Sequence, residues 1–103
     1  MYRRKNRQNE IPVELEDVEI ILDKEFPGIH VFLNSAFCEA CSGQTTVEAY
    51  TIFLDDVNDL IFEGRCSKCK APVARYVETG ESRSAVEAAR HIRIVKKLAE
   101  LKL

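Results

Sequence analysis

The sequence predicts an α+β domain, a small antiparallel sheet flanked by one N-terminal and one C-terminal α-helix. Three observations predict it. Apolar residues recur at helical spacing near both ends of the chain. Alternating, β-branched runs fill the middle. Four cysteines, in the pairs Cys38-Glu39-Ala40-Cys41 and Cys66-Ser67-Lys68-Cys69, bracket the central runs.

At 103 residues the chain is one domain's length. We divide it into a flexible basic tail over 1–10 and a single domain over 11–103. Hydrophobic residues make up 46% and charged residues 31%, the balance of a soluble globular protein and not of a disordered or membrane one. No apolar run reaches the roughly 18 residues of a membrane span. The start, Met1-Tyr2-Arg3-Arg4-Lys5, is basic but has no signal-peptide apolar region. The expectation is a cytoplasmic protein, in which thiols stay reduced.

The N-terminal helix is expected over 13–26. Pro12 suits a first helical position, since its missing N–H has no partner there anyway. Leu15, Val18, Leu22 and Phe26 form one stripe, with Glu16, Glu19 and Asp23 opposite. Val13-Glu14-Leu15 has an extended piece as its alternative. Pro27-Gly28 is expected to stop the helix. A strand is then expected over 29–37, from its β-branched and aromatic content.

The first cysteine pair follows, and Gly43 offers a tight turn beyond it. From Thr45 to Leu54 the residues alternate: Val47, Ala49, Thr51 and Phe53 on one face, Glu48, Tyr50, Ile52 and Leu54 on the other. Asp55 to Asp59 reads as a turn. It lacks the glycine and the distal bidentate acid of a calcium loop. Leu60 to Glu63 returns as the partner strand. After the second pair, Pro72 to Glu78 is a further strand, ended by Thr79-Gly80.

The last helix is expected from about Ser82 to Lys102, with Ser84 and Glu87 in the form of a capping box. Ala85, Ala88, Ala89, Ile92, Val95 and Ala99 form a small-residue stripe toward a core. Ile94, Leu98 and Leu101 form a second stripe on nearly the opposite side. One core needs only the first, so the second needs another cover. That cover is the acidic helix, a second copy of the chain, or a different protein.

Charge is blocked along the chain although the net value is −2. Residues 14–25 carry six acids and one base. Residues 65–75 carry Arg65, Lys68, Lys70 and Arg75 and no acid. Separate acidic and basic faces follow, either solvated or offered to partners.

Two Cys-x-x-Cys pairs separated by twenty-four residues, with no cysteine left over, are the sequence form of a four-thiolate metal site. Cys38, Cys41, Cys66 and Cys69 are the expected ligands of one structural Zn2+. Four thiolates complete a tetrahedron and leave no position for water or substrate. Lys68, Lys70 and Arg65 would offset the charge of such a centre. His30 is not needed as a ligand, and His91 reads as a surface helix residue.

In these residues the chain resembles the zinc-ribbon class, over roughly residues 30–78, with Cys38-x-x-Cys41 and Cys66-x-x-Cys69 as the two knuckles. Ser42 and Lys70 stand where glycine commonly follows the second cysteine. The resemblance implies a zinc-ribbon sheet and a binding role, in nucleic-acid or transcription and translation machinery or in protein docking.

The same residues admit rival readings. The same four ligands would hold iron in a rubredoxin-like electron carrier. A thiol–disulfide enzyme would place the first cysteine of a pair at the start of a helix, whereas both pairs here sit between strand-like runs. No His, Ser or acid constellation suggests catalysis. The expected function is therefore a non-enzymatic protein-interaction or assembly module, with Ile94, Leu98 and Leu101 as its contact surface and a homodimer through the last helix as one form. The alternative is a nucleic-acid-binding zinc ribbon using Arg65, Lys68, Lys70 and Arg75. Neither a membrane nor a small-molecule substrate is expected as a partner.

Overall fold

A computed structural model describes residues 10–101 of the chain. The tail expected over 1–10 lies outside the described residues, Glu10 excepted. The architecture is α+β. A four-stranded antiparallel sheet has the order β1-β4-β5-β6, and a second sheet pairs β2 with β3. The strands are β1 (Ile11–Val13), β2 (Ala36–Cys38), β3 (Gly43–Thr45), β4 (Val47–Leu54), β5 (Leu60–Cys66) and β6 (Pro72–Val77). The helices are α1 (Leu15–Leu22), α2 (Ile29–Leu33) and α3 (Arg83–Leu101).

The N-terminal segment departs from the expected helix over 13–26. Ile11–Val13 is a strand, and Pro12 lies in it opposite Phe53 instead of opening a helix. An edge position tolerates proline because no ladder N–H is required of it. Helix α1 starts at Leu15. Its cap is an acid pair: Asp17 Oδ2 accepts the Glu14 backbone N–H at 2.9 Å. The same oxygen meets Lys96 Nζ at 3.1 Å and so ties α1 to α3.

Pro27-Gly28 does not stop the helical path. Asp23–Gly28 forms a 3-10 segment containing Pro27, and α2 follows at once. The strand expected over 29–37 is thus a correction: only Ala36–Cys38 is extended. Phe26, Ile29, Phe32 and Leu33 pack on the main core at roughly helical intervals, and this burial outweighs the β-branched content of Ile29 and Val31.

That core lies between one face of the four-stranded sheet and the two longer helices. Val18, Ile21 and Leu22 of α1 and Ala85, Ala89 and Ile92 of α3 cover Ile52, Leu54, Leu60 and Phe62. Tyr50 meets Phe62 edge-on with ring centroids 5.6 Å apart. A second cluster, Ala36, Cys38, Val47, Cys66 and Val73, surrounds the cysteines.

Strand β4 serves both clusters through a bulge. Its ladder with β5 slips between Glu48 and Thr51, and Ala49 takes φ 52°. The extra residue switches the parity of the strand. Val47 is buried beside the cysteines, while Ile52 and Leu54 are buried under the helices. The uninterrupted alternation expected over 45–54 is corrected accordingly, and Ala49 and Thr51 are exposed.

The turn at 55–59 is as expected. Asp55 Oδ1 accepts the backbone N–H groups of Val57 and Asp59 at 3.0 and 2.9 Å. Arg93 reaches across from α3 to the same turn. Its Nε donates to Asn58 Oδ1 at 3.0 Å and its guanidinium also donates to the Leu54 and Asp55 carbonyls. The cap of α3 is Ser82, whose Oγ accepts the Ala85 N–H at 3.3 Å, and not the Ser84–Glu87 box. No helix among the described residues is long and apolar enough to cross a membrane.

Candidate metal centre

Each cysteine pair sits at the tip of a hairpin. β2 and β3 pair up to Cys38 opposite Gly43, and Cys38-x-x-Cys41 forms the turn between them. β5 and β6 pair up to Arg65 opposite Pro72, and Cys66-x-x-Cys69 forms theirs. The second turn closes with the Lys70 N–H on the Cys66 carbonyl at 2.9 Å and the Cys66 N–H on the Ala71 carbonyl at 2.8 Å. The first closes with the Ser42 N–H on the Glu39 carbonyl at 3.2 Å.

The residue after each second cysteine is left-handed: φ is 56° at Ser42 and 68° at Lys70. A β-strand register then brings the tips together. Val47 lies opposite Cys66, and the Ser67 N–H donates to the Thr46 carbonyl at 3.0 Å. The short link from β3 into β4 therefore lays the first knuckle against the second.

The four Sγ atoms lie within 4.8 Å of one another. Cys38 and Cys69 are 3.6 Å apart, and Cys41 and Cys66 are 3.8 Å apart. A tetrahedral metal with sulfur at about 2.3 Å requires edges of about 3.8 Å. The residues thus fit a four-coordinate metal ion. Cys38 and Cys66 are buried, while Cys41 and Cys69 lie at the surface. All four are free thiols.

Cys66 is the best-supported sulfur. The hydroxyl of buried Thr45 lies 3.0 Å from it, and the Lys68 and Cys69 N–H groups donate to it at 3.4 and 3.5 Å. The Thr45 hydroxyl, followed by the Cys69 N–H, holds the Cys66 thiol down to about 6. Hydrogen bonding to Cys69, followed by burial and the other two sulfurs, pushes the Cys41 thiol up to about 12. Of these two thiols Cys66 is the readier thiolate. Metal binding must displace the Cys41 proton, as thiolate coordination demands.

Thr45 had no signal in the sequence. It reaches Cys66 across twenty-one positions, through strand pairing alone. Neither cysteine pair opens a helix, because Cys38 ends β2 and Cys66 ends β5. An apolar cleft of about 660 Å³ borders the first knuckle, lined by Phe37, Ala40, Ala71, Pro72 and Ala74. Among the described residues, Glu39 is its one titratable lining residue beyond Cys38.

The basic residues named above are turned toward local partners. Lys70 Nζ pairs with Glu48 at 3.0 Å. Lys68 Nζ donates to the Gln44 carbonyl and an Arg65 nitrogen to the Lys70 carbonyl. Arg75 Nε donates to Ser35 Oγ, and its guanidinium stands 5.7 Å from the centre of the Phe32 ring. None of these contacts is to a sulfur. His30 and His91 are exposed and stand outside the metal-capable cluster.

Helix α3 is two-faced, with a shorter core face than its sequence suggested. Ala85, Ala89 and Ile92 are buried, but Val95 and Ala99 are exposed. The second stripe is open to solvent, at 59% for Ile94, 57% for Leu98 and 72% for Leu101. Acidic α1 lies beside α3 and does not cover this stripe.

No family model, no curated protein and no solved structure matches the chain.

Proposed function

We propose that this protein is a binding module stapled by one structural zinc ion, and not an enzyme. The observation that carries the reading is the sulfur cluster, with two opposite edges of 3.6 and 3.8 Å. Cys38, Cys41, Cys66 and Cys69 would hold the ion, and four thiolates leave it no open position for a reacting group. The ion would supply folding energy by locking the two hairpin tips together. Such a staple suits a chain of this length, whose second core of five buried residues is small.

The binding surface is the exposed Ile94, Leu98 and Leu101 stripe, an apolar face of the kind that marks protein contact. A reducing compartment such as the cytoplasm would keep the thiols available to metal. The nucleic-acid reading has less support, since Lys70 is paired with Glu48 and Arg75 is held by Ser35 and Phe32.

Elemental analysis of protein purified without added metal tests the proposal, followed by titration with a chelator under circular dichroism. One zinc per chain, with loss of structure on stripping, is expected. Iron in the same shell would make the protein an electron carrier. No metal, with reactive thiols, would overturn the reading in favour of thiol redox chemistry.

A further inference from the structure

The outer faces of α1 and α3 are complementary to each other. Both helices cover the same face of the sheet, so their solvent sides point away from it together. On α1, Leu15, Glu16, Glu19 and Ile20 are all exposed, with Leu15 at 45% and Ile20 at 58%. At 3.6 residues per turn these four fill one sector of about 140°. It is an acidic face with two large apolar residues in it.

On α3, Ile94, Leu98 and Leu101 form the apolar stripe, and exposed Arg90 and Lys97 flank it on one side. It is an apolar face with a basic edge. The eight residues from Ile94 to Leu101 match the eight of α1 in length, about 12 Å each.

We propose that the stripe on α3 takes the outer face of α1 from a second copy of this chain, reciprocally, about a two-fold axis. The inference rests on the reading of α3 as the binding surface and names its occupant. Within one chain the two faces cannot meet, because α1 and α3 lie side by side with the Lys96–Asp17 pair between them. Across a two-fold axis both faces of both copies are covered at once and the assembly closes. The product is a four-helix layer between two sheets, with Ile20 against Ile94, Leu98 and Leu101, and with Glu16 and Glu19, which lie between Ile20 and Leu15 around α1, toward Arg90 and Lys97.

The simpler pairing, α3 on α3, is disfavoured by charge. Arg90 and Lys97 edge the same side of the stripe. In an antiparallel pair the basic edge of one helix would lie along the basic edge of the other, and like charges at an interface are costly.

Charge reversal tests the proposal, read by sedimentation equilibrium of the full, zinc-loaded chain. One variant carries Glu16→Lys and Glu19→Lys; the other carries Arg90→Glu and Lys97→Glu. The wild type is expected to be a dimer. Each variant alone is expected to dissociate at least about tenfold more readily, from like-charge juxtaposition. An equimolar mixture of the two is expected to restore the dimer, since each then offers what the other lacks. Leu98→Glu, also on the exposed stripe, gives an independent disruption, and bound zinc reports that each variant is folded.

A wild type that stays monomeric up to millimolar concentration overturns the inference, while bound zinc would leave the metal-stapled module standing. A dimer indifferent to Glu16→Lys and Glu19→Lys overturns it in favour of α3 on α3. Dissociation without recovery on mixing overturns the reciprocal pairing.

Discussion

Ser42 and Lys70 stand at equivalent places in the two knuckles, each one residue past a second cysteine, and each holds a left-handed backbone at φ 56° and φ 68°. Each turn that brings two sulfurs to the four-cysteine cluster is followed by this conformation. An L-residue with a Cβ pays for it with about 1 kcal/mol or more, and glycine does not. Ser42→Gly and Lys70→Gly are each expected to raise stability by up to about 1 kcal/mol, partly offset by glycine's greater unfolded-chain entropy. Lys70→Gly also gives up an exposed ion pair with Glu48, a loss of about 0–1 kcal/mol. Chemical denaturation of the zinc-loaded protein measures both. A fall in midpoint for Ser42→Gly would mean that the turn is not strained there.

Thr45→Val removes the hydroxyl that faces Cys66 Sγ at 3.0 Å and keeps the side-chain shape. Groups that hydrogen-bond a ligand atom typically matter by about 10–100-fold in metal affinity. The Val variant should bind zinc at least about tenfold more weakly in chelator competition. Its zinc-saturated circular dichroism spectrum should match the wild type. An unchanged affinity would show that the two backbone N–H groups suffice for Cys66.

Gly64 faces the bulge in β4. A Cβ added there would lie 2.4 Å from the Glu48 carbonyl oxygen and 3.0 Å from the Tyr50 Cα. Both are backbone atoms and neither can swing aside. Gly64→Ala is expected to destabilise the fold by about 1–3 kcal/mol, the range of overpacking. The measurement is the denaturation midpoint. A cost under 0.5 kcal/mol, the size of an ordinary surface substitution, would mean that the bulge relaxes at little cost.

The cysteine cluster was legible in the sequence because its ligands come in two local pairs, and local spacing survives any error in the strands between them. The core face of α3 was legible for the same reason, from Ala85, Ala89 and Ile92. What escaped depends on distant partners. Ile11–Val13 is three residues long and extended only because Ile52 to Leu54 pairs with it. The bulge at Ala49 follows from packing against Gly64 and from the need to serve two cores. Helix α2 did have a local signal. Val18, Leu22, Phe26, Ile29 and Leu33 continue one helical stripe straight across Pro27-Gly28, and burial of that stripe outweighs the proline's tendency to end a helix. The caps are hard to read from sequence because Ser82 and the Glu14–Asp17 pair are weaker signals than Ser84 with Glu87.

Arg93 joins the middle of α3 to the β4–β5 turn through Asn58 Oδ1 and the Leu54 and Asp55 carbonyls. A planar fork with several donors serves three acceptors, which a single ammonium does not reproduce. Arg93→Ala is expected to cost about 1.5–3 kcal/mol, the range for hydrogen bonds to a charged group. Arg93→Lys should recover less than half of that. Equal stability of the Lys variant and the wild type, by thermal denaturation, would reduce the contact to a simple charge effect.

Asp59 gives the fold a pH dependence outside the cysteines. Its Oδ1 accepts the Gly80 N–H at 2.7 Å and helps hold the turn before α3. Burial, opposed by that hydrogen bond and reinforced by Asp55 and Glu78, raises its carboxyl above the ordinary value. A raised carboxyl favours the protonated form in the folded state. Its contribution to stability is full below the unfolded value near pH 4 and is lost as pH rises through the folded value. At neutral pH the charge therefore opposes the fold while the acceptor oxygen supports it, and the two effects can be separated. Asp59→Asn keeps an acceptor oxygen for Gly80 and drops the charge, so it should match or exceed the wild type in stability at pH 7. That advantage should shrink toward pH 4, where the wild-type carboxyl takes up its proton. Asp59→Ala loses the acceptor as well and should cost about 1 kcal/mol near pH 4, and less at pH 7, where loss of the charge offsets part of the lost hydrogen bond. Thermal melts of the three proteins across this range decide the matter. An Asn variant less stable than the wild type at pH 7 would show that the carboxylate, and not merely its oxygen, is what the Gly80 N–H requires.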